Sequence, residues 1–124
     1  MADNKALILV VDDEPDLAAT CGRLLTRRGY HVVTVGSRTA AIAALSGDTP
    51  ALLVSDLRLP DGDGLDVVRA ARTLPHPIPV IVMTGHISQD SRDNALRAGA
   101  FAYLPKPFST QAFTALVEQA LACP

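Results

Sequence analysis

Residues 51–64 read ALLVSDLRLPDGDG, and the rest of the chain is organised around them. An apolar run of strand length ends abruptly in a carboxylate, Asp56. A loop follows with Pro60, the acids Asp61 and Asp63, and the glycines Gly62 and Gly64. A continuous apolar run suits a strand covered on both faces, as in a parallel sheet. Packing alone gives no reason for such a strand to deliver one acid into a loop. Asp56 therefore reads as a nucleophile, with nearby acidic, hydroxyl and amine groups serving it.

Outward from this stretch, apolar runs and helical patterns alternate along the chain. Residues 6–11 (ALILVV) form a first strand that ends in Asp12, Asp13 and Glu14. Pro15 suits the first position of a helix, and Leu17, Cys21, Leu24 and Leu25 continue it at helical spacing until Gly29. Residues 31–35 (HVVTV) form a second strand, and Ser37 is placed to cap a helix that Gly47 ends. Residues 51–55 are the third strand. Leu65, Val68 and Ala71 mark a third helix, closed by the turn at Pro75, His76 and Pro77. Residues 78–83 (IPVIVM) are a fourth strand, ending before Thr84 and Gly85. Ser88 starts a fourth helix with a thin apolar face of Ala95, Leu96 and Ala98, which makes it a candidate for movement. Residues 101–104 (FAYL) are a fifth strand, leading into Pro105, Lys106 and Pro107. Ser109 caps a last helix whose Phe113, Leu116, Val117, Ala120 and Leu121 fit one face.

Strands joined by crossover helices must run parallel, with helices on both faces. The expected fold is α/β: a five-stranded parallel sheet with five helices, flavodoxin-like, of strand order 2-1-3-4-5. At 124 residues and 48% hydrophobic content the chain suits one domain, residues 1–124, and not a disordered tail. Its net charge of −2, without a long basic run, gives no footprint for nucleic acid or an anionic membrane. No apolar run approaches the roughly 20 residues that span a bilayer. Cys21 and Cys123 lack metal-ligand spacing, so neither a disulfide nor a metal site is expected, and a reducing cytoplasm is the default.

In an open parallel sheet, ligands bind beyond the carboxyl ends of the strands. Here those ends offer Asp12 and Asp13, Asp56, Thr84 and, just beyond the fifth strand, Lys106. Crowded carboxylates repel unless a cation joins them, and Mg²⁺ is favoured because it takes oxygen ligands and keeps several waters. A metal and an ammonium together attract phosphate. An ionised carboxylate needs no general base to attack phosphorus; it needs the charge on the incoming oxygens neutralised. The metal, Lys106 and the Thr84 hydroxyl can each contribute. The chemistry suggested is phosphoryl transfer onto Asp56. Asp61, Gly62, Asp63 and Gly64 read as turn and cap residues; a calcium loop is excluded because Arg72 stands where its last glutamate would be. His31, His76 and His86, with Arg27, Arg28, Arg69 and Arg72, read as solvated.

At four segments the chain resembles a known family. VDDE at residues 11–14, SDLRLPDGDG at 55–64, MTG at 83–85 and YLPKP at 103–107 together resemble the receiver domains of two-component response regulators, over essentially the whole length. The resemblance implies that Asp56 is the phosphoacceptor. It implies that Asp12, Asp13, Asp56 and the backbone carbonyl of Arg58 hold Mg²⁺, and that Thr84 and Lys106 bind the phosphoryl group. Thr84 and Tyr103 would form the switch, and the Lys106–Pro107 peptide would be cis. Phosphate would come from a histidine of a sensor kinase or of a phosphotransfer domain. The face of the fourth helix, fifth strand and fifth helix would then change its partner binding, toward an effector domain, a docked protein or a second copy. The fifth helix carries only Glu118 as a charged residue, which argues against a dimer built on charged pairs there. Such a domain is cytoplasmic, binds neither membrane nor nucleic acid through this segment, and is not a turnover enzyme, although it catalyses its own phosphorylation and dephosphorylation. Two residues after the acceptor stands Arg58, and two after Thr84 stands His86. These positions flank the path of the hydrolytic water in the family, so both are expected to alter the lifetime of the aspartyl phosphate. A phosphohydrolase of the haloacid dehalogenase type is disfavoured because Arg58 occupies the place of its second acid. A receiver-like module that never takes phosphate is disfavoured by the complete acidic set.

Overall fold

The computed structural model describes residues 6–47 and 49–122. Five strands form one parallel sheet: β1 (Leu7–Val11), β2 (His31–Val35), β3 (Leu52–Asp56), β6 (Val80–Thr84) and β7 (Ala102–Pro105). Their order is β2-β1-β3-β6-β7, which is the expected 2-1-3-4-5 arrangement. Helices α1 (Pro15–Arg27), α2 (Arg38–Ser46), α3 (Gly64–Arg72), α4 (Gln89–Arg97) and α5 (Thr110–Ala122) follow the five strands in turn.

Alternation along the strands builds two cores. Leu9, Val11, Leu53 and Val82 point to one face, where Ala41 and Leu45 of α2, Val67, Val68 and Ala71 of α3 and Ala95 of α4 cover them. Ile8, Val10, Val54 and Met83 point to the other, against Cys21 and Leu25 of α1 and Phe113 and Val117 of α5. Strands β3 and β6 are buried at every position, which is why they are apolar up to Ser55, Asp56 and Thr84 at their carboxyl ends. No residue of edge strand β2 is fully buried, and Val33 is exposed.

The caps fall where the hydroxyl residues stand. Ser37, Ser88 and Ser109 accept from the amides of Ala40, Ser91 and Ala112. Four of the five strands start a residue or two later than the apolar runs suggest; β2 starts at His31 as expected. The fourth run begins at residue 78, but Pro79 has no amide to give the ladder, and β6 starts at Val80. The expected loop after Asp56 contains a two-pair antiparallel ribbon, β4 (Arg58–Leu59) against β5 (Gly62–Asp63). Leu96, read as part of the apolar face of α4, is instead exposed, which leaves Ala95 as the one buried residue of that helix. Three of the arginines read as solvated are engaged at the surface: Arg28 with Glu118, Arg69 with Asp66, and Arg72 with the Ile78 carbonyl. Cys21 is a buried free thiol, and burial pushes it up to about 11. Cys123 lies outside the described residues. Among the described residues no helix is long and apolar enough to cross a membrane.

Candidate functional site

The carboxyl ends of β1, β3, β6 and β7 lie side by side. Register pairs Val11 with Ser55, Asp56 with Met83, and Thr84 with Pro105. The chain order reverses at β1 and β3, so the crevice beyond them is where an open sheet of this kind binds ligands. Asp12 follows β1 directly, Asp56 is the last residue of β3, and Lys106 follows β7.

Lys106 ties these ends together. Its Nζ donates to Asp56 Oδ2 at 2.7 Å, to Asp12 Oδ2 at 2.9 Å and to Glu14 Oε1 at 3.0 Å. The lysine and both aspartates are largely buried, and the Asp12 side chain is fully so. Asp12 also accepts from the Glu14 amide, and Asp56 accepts from the Arg58 amide. Carboxylate oxygens of Asp12, Asp13 and Asp56 lie within 4.8 Å of one another, with Asp13 the exposed member. Three carboxylate oxygens in that span, one open to solvent, suit a hard divalent cation that keeps water ligands.

The electrostatics carry two opposed effects. Burial works against the charge on Lys106, but the hydrogen bonds it donates to Asp56, Asp12 and Glu14 outweigh it and hold its pKa above the ordinary lysine value. For Asp12, burial is the largest influence and raises the carboxyl above its usual range. An ion pair should lower an acid while it raises its base, yet both partners here move up. Desolvation of Asp12, with Asp56 close by, exceeds what one lysine and one amide return.

Close packing fixes the acceptor loop from beneath. Gly64 donates to the Leu57 carbonyl, and a Cβ on Gly64 would stand 2.2 Å from the Asp56 carbonyl oxygen. Only glycine fits there. Asp63 then caps α3 by accepting from Leu65, as its turn-and-cap reading expects.

Asp12, Asp13, Asp56 and Lys106 thus converge. Thr84 stands at the end of the neighbouring strand, fully buried, with its hydroxyl accepting from the His86 amide at 2.9 Å. The Lys106 amide donates to the Thr84 carbonyl, and the Lys106–Pro107 peptide is cis. Arg58 and His86 are exposed and, with Thr84 and Ser91, line a cleft of about 650 Å³ beside the acidic crevice. Tyr103 is half-buried, and its hydroxyl lies 3.1 Å from the Ser91 hydroxyl on α4. Sequence reasoning left out Glu14 and Ser91. Glu14 was legible in principle, because the acids of residues 12–14 run together. Ser91 carried no signal, because its partner is fixed only by how α4 lies on β7.

The chain is similar to known proteins along nearly its whole length. The model of the response regulator receiver domain matches residues 8–118. The DNA-binding transcriptional regulator NtrC of Proteus hauseri is 37% identical over 117 residues, which are 94% of this chain and 25% of that protein. The chain therefore spans about a quarter of the length of such curated relatives. A CheY-like receiver domain from Methanospirillum hungatei superposes with a TM-score of 0.91 at 26% identity, covering 95% of this chain and 94% of that one. The beryllofluoride-activated NtrC4 receiver domain, solved as a dimer, gives 0.87 at 32% identity, covering 93% and 95%. With the family model spanning nearly all of the chain, the protein belongs to the receiver domains of two-component response regulators.

Proposed function

We propose that Asp56 is the phosphoacceptor of this receiver domain and that residues 1–124 act as one such domain. The observation that carries the reading is the Lys106 ammonium, held in a largely buried place 2.7 Å from Asp56 and 2.9 Å from Asp12. An Asp56 oxygen attacks the phosphorus of a phosphohistidine on a sensor kinase or phosphotransfer protein. The P–O bond forms as the P–N bond breaks, and the imidazole leaves with that electron pair and takes up a proton. Lys106 neutralises charge on the arriving phosphoryl oxygens and orients them. Thr84 binds a further phosphoryl oxygen once its hydroxyl turns from the His86 amide.

Asp12, Asp13, Asp56 and the Arg58 carbonyl are the proposed ligands for Mg²⁺. Bound there, Mg²⁺ supplies the charge that lets a phosphoryl group approach three carboxylates. Asp12 and Asp13 hold position on the β1 end, and the Arg58 amide keeps Asp56 oriented from the other side. The chain modifies itself and turns over no outside substrate.

Phosphorylation then biases a two-state element. Tyr103, tied to α4 through Ser91, and Thr84, tied to the loop before α4, are the two places where a change at Asp56 reaches the α4–β7–α5 face. That face would carry an effector domain, a docked protein or a second copy, in the cytoplasm. The test is intact mass after incubation with acetyl phosphate and Mg²⁺. The wild type gains one phosphate, while Asp56→Asn and a chelator each abolish the gain. A wild type that gains nothing, or an Asp56→Asn protein that still gains, would contradict the reading.

A further inference from the structure

Asp61 lies at the tip of the ribbon that follows the acceptor, is exposed, and nevertheless accepts three hydrogen bonds. Its Oδ1 accepts from the Arg38 amide at 2.6 Å, and its Oδ2 accepts from the Thr39 amide at 2.9 Å and the Thr39 hydroxyl at 2.7 Å. These bonds hold its carboxyl down at about 2, led by the Thr39 hydroxyl. Residues 38 and 39 open α2, whose own cap, Ser37, serves only Ala40. The remaining orphan amides of that helix are therefore satisfied from another element. The same place is gripped twice more. Arg38 Nε pairs with Asp66 of α3 at 2.9 Å, and the Arg38 side chain fills the space beside Gly62, where a Cβ would stand 2.5 Å from Arg38 Cδ.

Apart from the Gly64–Leu57 hydrogen bond and the Asp63 cap of α3 at its base, the ribbon depends on these contacts. Two residue pairs are too short to be stable alone. Of residues 58–63 only Leu59 is buried. Arg58, at the base of the ribbon, pairs with Asp63 and gives its amide to Asp56. Tip and base are thus joined through two residue pairs, with Leu59 in the core and Asp61 bound to the start of α2.

We infer that Asp61 is a positioning residue for the metal site: by clamping the ribbon to α2 it sets where the Arg58 carbonyl and the Asp56 carboxylate stand. This rests on the proposed Mg²⁺ role of Arg58 and Asp56. Groups that orient metal ligands without touching the ion commonly change affinity about tenfold or more when removed. An exposed acid that merely capped a helix would change stability and leave affinity alone.

The test is Mg²⁺ affinity of the unphosphorylated protein by titration calorimetry, because the chain has no tryptophan to report binding. Asp61→Ala raises the dissociation constant about tenfold. Asp61→Asn, with one acceptor oxygen left, falls between it and the wild type. Ser37→Ala weakens the same helix start without touching the ribbon and binds Mg²⁺ as the wild type does. In acetyl phosphate reactions, Asp61→Ala reaches the wild-type rate when Mg²⁺ is raised to saturation. Unchanged affinity in Asp61→Ala would overturn the inference, as would an equal loss in Ser37→Ala. A wild type that binds no Mg²⁺ would overturn the underlying metal reading, a failure distinct from either.

Discussion

Lys106 shows how a single residue changes the meaning of the acids around it. Asp12 and Asp56 are buried side by side, an arrangement that costs stability unless a cation stands between them. Lys106 is that cation in the unphosphorylated state, 2.9 Å from one and 2.7 Å from the other. Lys106→Met should lower stability by about 3 kcal/mol near neutral pH, read from denaturant midpoints. The pH dependence has a definite sign. The carboxyl of Asp12 is raised above its ordinary value of 3.8 in the fold. A protonated Asp12 therefore favours the folded state, and that contribution fades as pH rises through the raised value. Without Lys106 the carboxyl rises further, so the deficit of the variant should shrink as pH falls toward 4. A deficit independent of pH would contradict this. Asp61 has the opposite sign: its carboxyl is depressed from 3.8 to about 2, so its clamp is intact above 3.8 and lost as pH falls through about 2.

Among the elements, α4 stands apart. Helices α1 and α3 bury Ala18, Cys21 and Leu25, and Val67, Val68 and Ala71; α4 buries only Ala95. It is also tied to the sheet by a polar contact, the Ser91–Tyr103 hydrogen bond. Amides of α4 should exchange with solvent faster than those of α1 and α3 in hydrogen-exchange measurements, and faster still in Tyr103→Phe. Protection in α4 equal to that in α1 would contradict this. The thinness of this helix was legible because Asp90, Arg92, Asp93 and Arg97 leave room for little apolar surface. Its latch was not, since a serine and a tyrosine 12 residues apart share no local pattern. The ribbon was missed for a similar reason. Residues 58–63 alternate too briefly to read as strands, and what fixes them is a helix start more than 20 residues upstream.

At the scale of the whole molecule, uninterrupted apolar runs gave parallel strands, and alternation with helical periodicity gave their crossovers. The order β2-β1-β3-β6-β7 then brings Asp12, Asp56 and Lys106 to one crevice, although they stand 44 and 50 residues apart in turn. Four of the five strand starts were displaced by a residue or two, as at Pro79, whose carbonyl joins the ladder while it has no amide to give. The orientation of Thr84 was not legible, because its hydroxyl is committed to a backbone amide that no spacing reveals. All of this geometry serves one claim, that the product of the reaction is Asp56 itself, modified. Borohydride reduces an acyl phosphate to an alcohol, so a phosphorylated aspartate becomes homoserine. After phosphorylation, reduction and peptide mapping by mass spectrometry, homoserine should appear at position 56 and nowhere else. Homoserine at position 12 or 13, or a phosphorylated protein without any, would contradict the account.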